Sequence, residues 1–377
     1  MFPNMRTPAV VVALLMGTGA CTDTASPHGA NLMALSGAEF GACGRGETQL
    51  RCWGSLGALT GGTTASSPML PGSPINSLEL VRRGPFDDVG CGLDASGTLF
   101  CWGPGGTGYA PVAPGLRFTD VTMGQAFQCA LSTSSTVYCW GVVQGTGIAL
   151  QDAEISQCGS GLSAYACVMN PTAITSSEHF KAVASGWYHT CAVAQSGQVF
   201  CWGSGAGLGA GADVQEAQTP VPVESQDRFS AISSGTESSC AISAAGQPVC
   251  WGYNTGGMLG GSETKLDVPT PVELPSGVVM KAISLGASHS CSLDTTGAAW
   301  CWGTGGLGNG TSVSHAPVQV LGGLTFTSVA AGGGFTCGVA GNGAWCWGAN
   351  SYGQLGNGGS ADSPIPVRVA NQDQFED

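Results

Sequence analysis

Apolar and polar residues alternate along this chain in short bursts, and glycine-rich turns separate the bursts. The stretch Gly186-Trp-Tyr-His-Thr-Cys-Ala-Val-Ala-Gln-Ser-Gly-Gln-Val-Phe-Cys-Trp-Gly203 shows the unit. A period of two sends successive side chains to opposite faces of a strand. Two such runs flank Gln195-Ser196-Gly197, a three-residue hairpin loop with glycine where a positive φ is needed. No amphipathic stretch of helical period stands out, which argues against a parallel sheet with crossover helices. The pattern predicts an all-β chain.

The unit recurs. Cys-Trp-Gly occurs seven times, at Cys52, Cys101, Cys139, Cys201, Cys250, Cys301 and Cys346, each with a second cysteine nine or ten residues upstream. A period of about 50 residues marks an array of supersecondary units. Centring the hairpin on its glycine sets Cys191 opposite Cys201, at the close spacing where a cross-strand disulfide is sterically accessible. The same centring pairs Cys91 with Cys101, Cys240 with Cys250 and Cys291 with Cys301. Cys129 and Cys139 keep the spacing, but Ser135 stands where the others have glycine. Cys43/Cys52 and Cys337/Cys346 are one residue shorter and call for another turn, such as Gly341-Asn342. An eighth pair, Cys158 with Cys167, lies in an insertion from Val142 to Ser177. Zinc sites favour closer cysteine spacing or histidine partners. Disulfides are the expectation, each closing a loop of about ten residues and contributing roughly 2–3 kcal/mol.

In Phe200-Cys201-Trp202 the aromatic side chains point to the strand face opposite the cysteine, so both faces of the sheet are buried. Sheets stacked face to face around an axis meet that requirement, and the expected fold is a seven-bladed β-propeller over residues 30–370. Each Cys-Trp-Gly is followed by a glycine-rich turn and a Pro-Val strand, read here as the first strand of the next blade. On that frame the last strand, Pro364 to Val369, completes the first blade, and pairing of N- and C-terminal strands closes the ring. Residues 371–377 form a tail.

Charge and the N-terminus bear on compartment. The formal net charge is −13, with no basic cluster longer than Arg82-Arg83, so nucleic-acid binding is not expected. Arg6, the apolar run Ala9 to Met16 and the small residues before Cys21 read as a signal peptide over residues 1–20. Gly19-Ala20-Cys21 resembles the lipobox of bacterial lipoproteins, in which the thiol is lipidated, although Thr18 stands where leucine is usual. Seventeen cysteines less eight pairs leaves Cys21 alone. Residues 21–29 then form a lipidated tether, and the expected place is the bacterial cell envelope, at the outer membrane, with membrane contact only through the anchor.

The motifs Gly186…His189-Thr-Cys191…Phe200-Cys-Trp-Gly203 and Gly348-Ala-Asn350-Ser-Tyr-Gly353-Gln-Leu-Gly356-Asn-Gly358 resemble the regulator of chromosome condensation repeat family. The resemblance implies a seven-bladed propeller over roughly residues 30–370. The first two copies are degenerate, with Arg82-Arg83-Gly84-Pro85-Phe86 in place of the usual approach to the cysteine. Relatives with this fold include exchange factors for a small nuclear GTPase and secreted β-lactamase inhibitors. Exchange activity is not carried over, because this chain has an export signal and lacks a basic tail and a recognisable acidic wedge.

Candidate chemistry is sparse. Of five histidines, His28 falls in the tether, and His189 and His289 share a repeat position filled elsewhere by Phe127, Ser238 and Phe335. A general base does not recur by repeat register, so these are read as hydrogen-bonded packing. Asp94 and Asp294 begin Asp-x-x-Gly turns and should cap local backbone. No hydrolase, zinc-protease, calcium or phosphate-loop motif is present, and no catalytic residue, metal or cofactor is expected. A contact patch is placed at Trp187 and Tyr188, beside the insertion stapled by Cys158/Cys167, on one loop face, with packing of the two rings under their own loop as the alternative. The expected function is a monomeric envelope scaffold binding a protein or glycan. A polysaccharide hydrolase or lyase is the alternative, with exchange-factor-like activity by resemblance behind it.

Overall fold

A computed structural model describes residues 34–37, 41–45, 50–54, 75–83, 87–102, 111–143, 155–158, 165–341 and 343–370. These form seven antiparallel sheets around an axis, the blades of a β-propeller. Blade one holds β1 (Ala34–Gly37), β2 (Gly41–Arg45) and β3 (Leu50–Gly54), and blade two holds β4 (Ile75–Arg83), β5 (Asp87–Asp94) and β6 (Leu99–Trp102). Blade three comprises β7 (Phe118–Met123), β8 (Phe127–Ser132) and β9 (Val137–Val142), then β10 (Ile155–Cys158) and β11 (Tyr165–Ala173). Blade four runs β12 (Phe180–Ser185), β13 (His189–Ala194), β14 (Val199–Ser204) and β15 (Glu216–Pro222). Blade five has β16 (Phe229–Ser234), β17 (Ser238–Ser243), β18 (Pro248–Tyr253) and β19 (Lys265–Pro271). Blade six has β20 (Met280–Leu285), β21 (His289–Asp294), β22 (Ala299–Thr304) and β23 (Val313–Gln319). Blade seven has β24 (Phe326–Ala331), β25 (Phe335–Ala340), β26 (Gly343–Gly348) and β27 (Ser363–Arg368).

The first strand of each blade is innermost. β1, β4, β7, β12, β16, β20 and β24 pack one on the next, and β24 meets β1 again. Main-chain groups of these strands bond to hydroxyls of the preceding blade. Ser185 N–H donates to Thr122 Oγ1 at 2.8 Å, Leu285 N–H to Ser233 Oγ at 3.1 Å, and Ala331 N–H to Ser284 Oγ at 3.0 Å.

The hairpin register follows the sequence. Cys191 faces Cys201, and the equivalent pairs face each other in the other blades. Six disulfides are described, Cys91–Cys101, Cys129–Cys139, Cys191–Cys201, Cys240–Cys250, Cys291–Cys301 and Cys337–Cys346, with Cα–Cα distances of 4.0–4.1 Å. Cys43 and Cys167 are also disulfide-bonded. Cys43 stands opposite Cys52 in register. Cys158 lies on the strand facing Cys167, level with Tyr165, and its side chain falls outside the described residues. Bridges of this number point to an oxidising compartment.

Disulfides pack against the tryptophan of the next blade. Cys191 and Cys201 share a core with Trp251, Cys240 and Cys250 with Trp302, Cys129 and Cys139 with Trp202, and Cys291 and Cys301 with Trp347. The glycine-rich loops make room for this contact: a Cβ on Gly308 would lie 2.8 Å from Trp347 Nε1. Buried Asn254 and Asn350 tie two of these loops to themselves, Oδ1 accepting from Leu259 N–H at 2.7 Å and from Leu355 N–H at 2.9 Å.

Closure differs from the expectation. The Pro-Val strand does not begin the next blade; it folds back on the Cys-Trp-Gly strand that precedes it, as Cys201 faces Val221 and Cys346 faces Val367. The strand Pro364 to Val369 therefore finishes blade seven rather than blade one. A chain returning through a local loop satisfies its ladder against its immediate neighbour, at less loop-closure entropy than a pairing across the whole ring. The ring closes by packing: Trp53 and Ala42 of blade one share a core with Cys337, Cys346, Leu355 and Val369 of blade seven. This is the same disulfide-to-tryptophan contact that joins blades three to seven.

Candidate binding face

With the inner strand counted first, loops after first and third strands emerge on one face. Trp187 and Tyr188 lie between β12 and β13, on this face, and the end of β9, where the insertion begins, reaches the same face. They lie at opposite radii. Trp187 and Tyr188 leave the innermost strand of blade four, whereas β10 is the outermost strand of blade three. Insertion residues 144–154 and 159–164 lie outside the described residues, as do residues 1–33 with Cys21 and His28.

The loops around the axis are zipped by main-chain bonds. Gln125 N–H donates to Trp187 O at 3.1 Å, Trp187 N–H to Thr236 O at 3.0 Å, and Ala287 N–H to Gly332 O at 3.2 Å. Trp187 and Tyr188 are half-buried, with ring centroids 6.1 Å apart in an edge-on arrangement. The Trp187 indole N–H and the Thr236 hydroxyl are buried without a protein partner. A backbone-zipped loop that leaves two aromatic rings partly exposed is suited to contact.

His189 and His289 serve blade junctions. His189 Nε2 lies 2.9 Å from Ser239 Oγ of blade five, and His289 Nε2 lies 2.7 Å from Thr336 Oγ1 of blade seven. Burial pushes both imidazoles down to about 4, so each is neutral at pH 7. Gly186 and Gly207 enclose the His189 ring so closely that a Cβ on either would strike it.

Asp94 and Asp294 cap their turns. Asp94 Oδ1 accepts from Ser96 N–H and Thr98 N–H, both at 2.8 Å. Asp294 Oδ1 accepts from Thr296 N–H at 2.8 Å, and its Oδ2 accepts from Trp300 Nε1–H at 3.1 Å. Burial alone would raise both carboxyls, but these bonds hold them below the usual carboxylate range.

One titratable residue escapes the sequence reading. Asp120 is half-buried on the inner strand of blade three, where the matching register positions hold Ala182, Ala231, Ala282 and Ser328. Its carboxylate accepts only from Val121 N–H, and burial pushes it up to about 7. Comparing the copies by register exposes it as the one acid at a small-residue position. Among the described residues no cluster of metal-ligating side chains forms, and no helix is long and apolar enough to cross a membrane.

The regulator of chromosome condensation (RCC1) repeat profile matches residues 180–206, 280–309 and 326–354, and a second profile of the same repeat matches 342–375. These spans fall on blades four, six and seven. Prp20p of Saccharomyces cerevisiae, described with its binding properties to Gsp1p and histones, superposes with a TM-score of 0.69 at 22% identity, covering 86% of each chain. Yeast RCC1 (Prp20) bound to Kap60 gives 0.70 at 21% identity, over 96% of this chain and 91% of that one. Human WBSCR16 gives 0.68 at 18% identity, over 84% and 88%. No curated protein sequence matches the chain.

Proposed function

Because the chain is an RCC1-like repeat β-propeller with a disulfide in blade after blade, we propose that it is an exported, lipid-anchored scaffold of the bacterial cell envelope that binds a partner protein. A propeller of this kind suits a scaffold or binding role. Its rigid ring holds loops from several blades on one plane, and structural neighbours are described in complexes with or as binding other proteins. Gsp1p, histones and Kap60 are not carried over; the use of a propeller as a protein-docking body is.

The observation that carries the reading is the pair Trp187 and Tyr188, two half-buried rings 6.1 Å apart on a backbone-zipped loop. Export rests on the signal-like N-terminus and on the disulfides. Anchoring rests on Cys21, the cysteine that pairing arithmetic leaves over.

Two experiments test it. A photo-crosslinking residue placed at position 187 or 188 in living cells should give discrete protein adducts, and one at exposed Ile365 should not. Equal adducts at all three positions, or none, would remove the docking site. Cys21→Ser should move the protein from the membrane to the soluble envelope fraction; unchanged fractionation would remove the anchor.

A further inference from the structure

The outer edges of the blades are guarded unequally. The outermost strands of blades four to seven carry Pro220 and Pro222, Pro269 and Pro271, Pro317, and Pro364 and Pro366 respectively. Proline has no N–H to offer an incoming strand, and placing it at an edge blocks edge-to-edge pairing. Blade three departs from this. Its β11 contains Pro171, but β10 lies outside β11, in the register Ile155↔Val168, Ser156↔Cys167, Gln157↔Ala166 and Cys158↔Tyr165.

β10 reads Ile-Ser-Gln-Cys, with neither proline nor charge. Among the described residues it pairs only with β11. Ile155, Ser156 and Gln157 are all exposed, Ile155 at 42%. Neighbours on a strand point to opposite faces, so neither face of β10 is covered by the blade. An antiparallel strand aims the N–H and C=O groups of alternate residues outward, and among the described residues no strand pairs with that row.

We infer that the β10 edge of blade three is a strand-addition site, and that its occupant is an extended, basic segment of a partner protein. Main-chain pairing to β10 supplies the affinity, and Ile155 offers an apolar contact to the guest side chain that falls beside it. Charge selects the occupant. The chain carries −13, so a second copy is repelled, while a lysine- or arginine-bearing segment is drawn in. This surface is separate from the Trp187 loop and does not depend on it.

The test uses a fluorescent octapeptide of alternating lysine and valine, with two companions: one with glutamate for lysine, and one N-methylated at alternate residues to remove the donors of one edge. Fluorescence anisotropy with the full-length protein should show the lysine peptide binding about tenfold or more tighter than either companion, and weakening with salt. Ser156→Pro and Gln157→Pro are made separately, because only one of the two N–H groups points outward. At least one should abolish binding with an unchanged melting temperature, since β10 lies outside the core. Absence of binding, equal binding of the N-methylated peptide (a measurement needing no variant), or binding retained by both proline variants would overturn the proposal. So would self-association through β10 in sedimentation, which would make the occupant a second copy. Trp187→Ala/Tyr188→Ala should leave peptide binding intact, so failure here and failure of the loop site are told apart.

Discussion

Trp251 of blade five reaches back across the blade boundary and donates its indole N–H to the carbonyl of Gly207 in blade four, at 2.7 Å. Trp347 does the same to Gly306 of blade six at 2.9 Å. These tryptophans of the Cys-Trp-Gly unit thus belong energetically to the preceding blade, and the repeat is a unit of inter-blade adhesion as much as of hairpin formation. Gly209 sits under the Trp251 ring with φ +61, and a Cβ there would lie 2.5 Å from Cδ1. Gly209→Ala should cost about 2–4 kcal/mol, from overpacking plus a left-handed backbone that alanine disfavours. Trp251→Phe should cost about 1–3 kcal/mol by removing the donor. Denaturant midpoints of the oxidised protein measure both; unchanged midpoints would mean the junction is not under strain.

The buried histidines set an acid-side limit. Their unfolded value is 6.5 and their folded value about 4, so protonation favours the unfolded chain. The stability tied to neutral imidazole is complete above pH 6.5 and is lost as pH falls toward 4. Each histidine contributes a slope approaching about 1.4 kcal/mol per pH unit inside that window. The melting temperature should therefore drop between pH 7 and pH 5, and His189→Asn/His289→Asn should flatten that drop. An unaltered slope in the double variant would assign the acid sensitivity elsewhere.

Asp120 acts in the opposite sense. Its carboxyl is raised from 3.8 to about 7, so its ionised form weakens the fold above pH 7 and the penalty vanishes below 3.8. Asp120→Ala installs the residue found at this position in blades four, five and six. It should raise the melting temperature at pH 8 and leave it unchanged near pH 3.5. Destabilisation at pH 8 would mean that the carboxylate has a partner to lose.

The hairpins, their register and the cysteine partners are legible in the sequence, because a side-chain period of two and a fixed loop length leave one register open. The sheet joined by the Pro-Val strand is not. Between Trp202 and Glu216 runs a glycine-rich connection long enough to feed either blade, and only the ladder Cys201↔Val221 decides. Asp120 is hidden for another reason: it is ordinary in its own strand and unusual only beside Ala182, Ala231 and Ala282. The contact face is partly legible. Trp187 and Tyr188 stand out by residue type, but their distance in radius from β10 is a property of sheet order, which aromatic content does not encode.

The turn of blade three carries a strain that the sequence comparison points to. Ser135 adopts φ 65, the left-handed conformation that Gly97, Gly197, Gly246 and Gly297 supply in the matching hairpins. Its hydroxyl receives one exposed contact from Gln195 Nε2 at 3.2 Å, too weak to offset the backbone. Ser135→Gly should stabilise the protein by about 0.5–1 kcal/mol, the relief of a left-handed residue less the entropy of glycine. A lower denaturant midpoint in the variant would show that the serine side chain matters more than its backbone.

Ring closure through a side-chain core, with no strand exchanged between blades one and seven among the described residues, makes the segment around β27 a structural element of blade one as well as blade seven. Val369 and Gly356 lie against Trp53, and β27 covers the edge of β26. Truncation after Gly359 removes β27 and Val369 together, opening the blade seven edge and half of the Trp53 pocket. The expected outcome is global, with a lower melting temperature for the whole ring, because the truncation removes the contact that joins its first and last blades. Trp53→Ala isolates the packing from the pairing, and should cost about 3–5 kcal/mol while β27 remains in place. If the truncated chain melts like the intact one and Trp53→Ala does not, the ring is held by the tryptophan alone. If neither changes the transition, the blades are stable as an open arc and the closing contact is incidental.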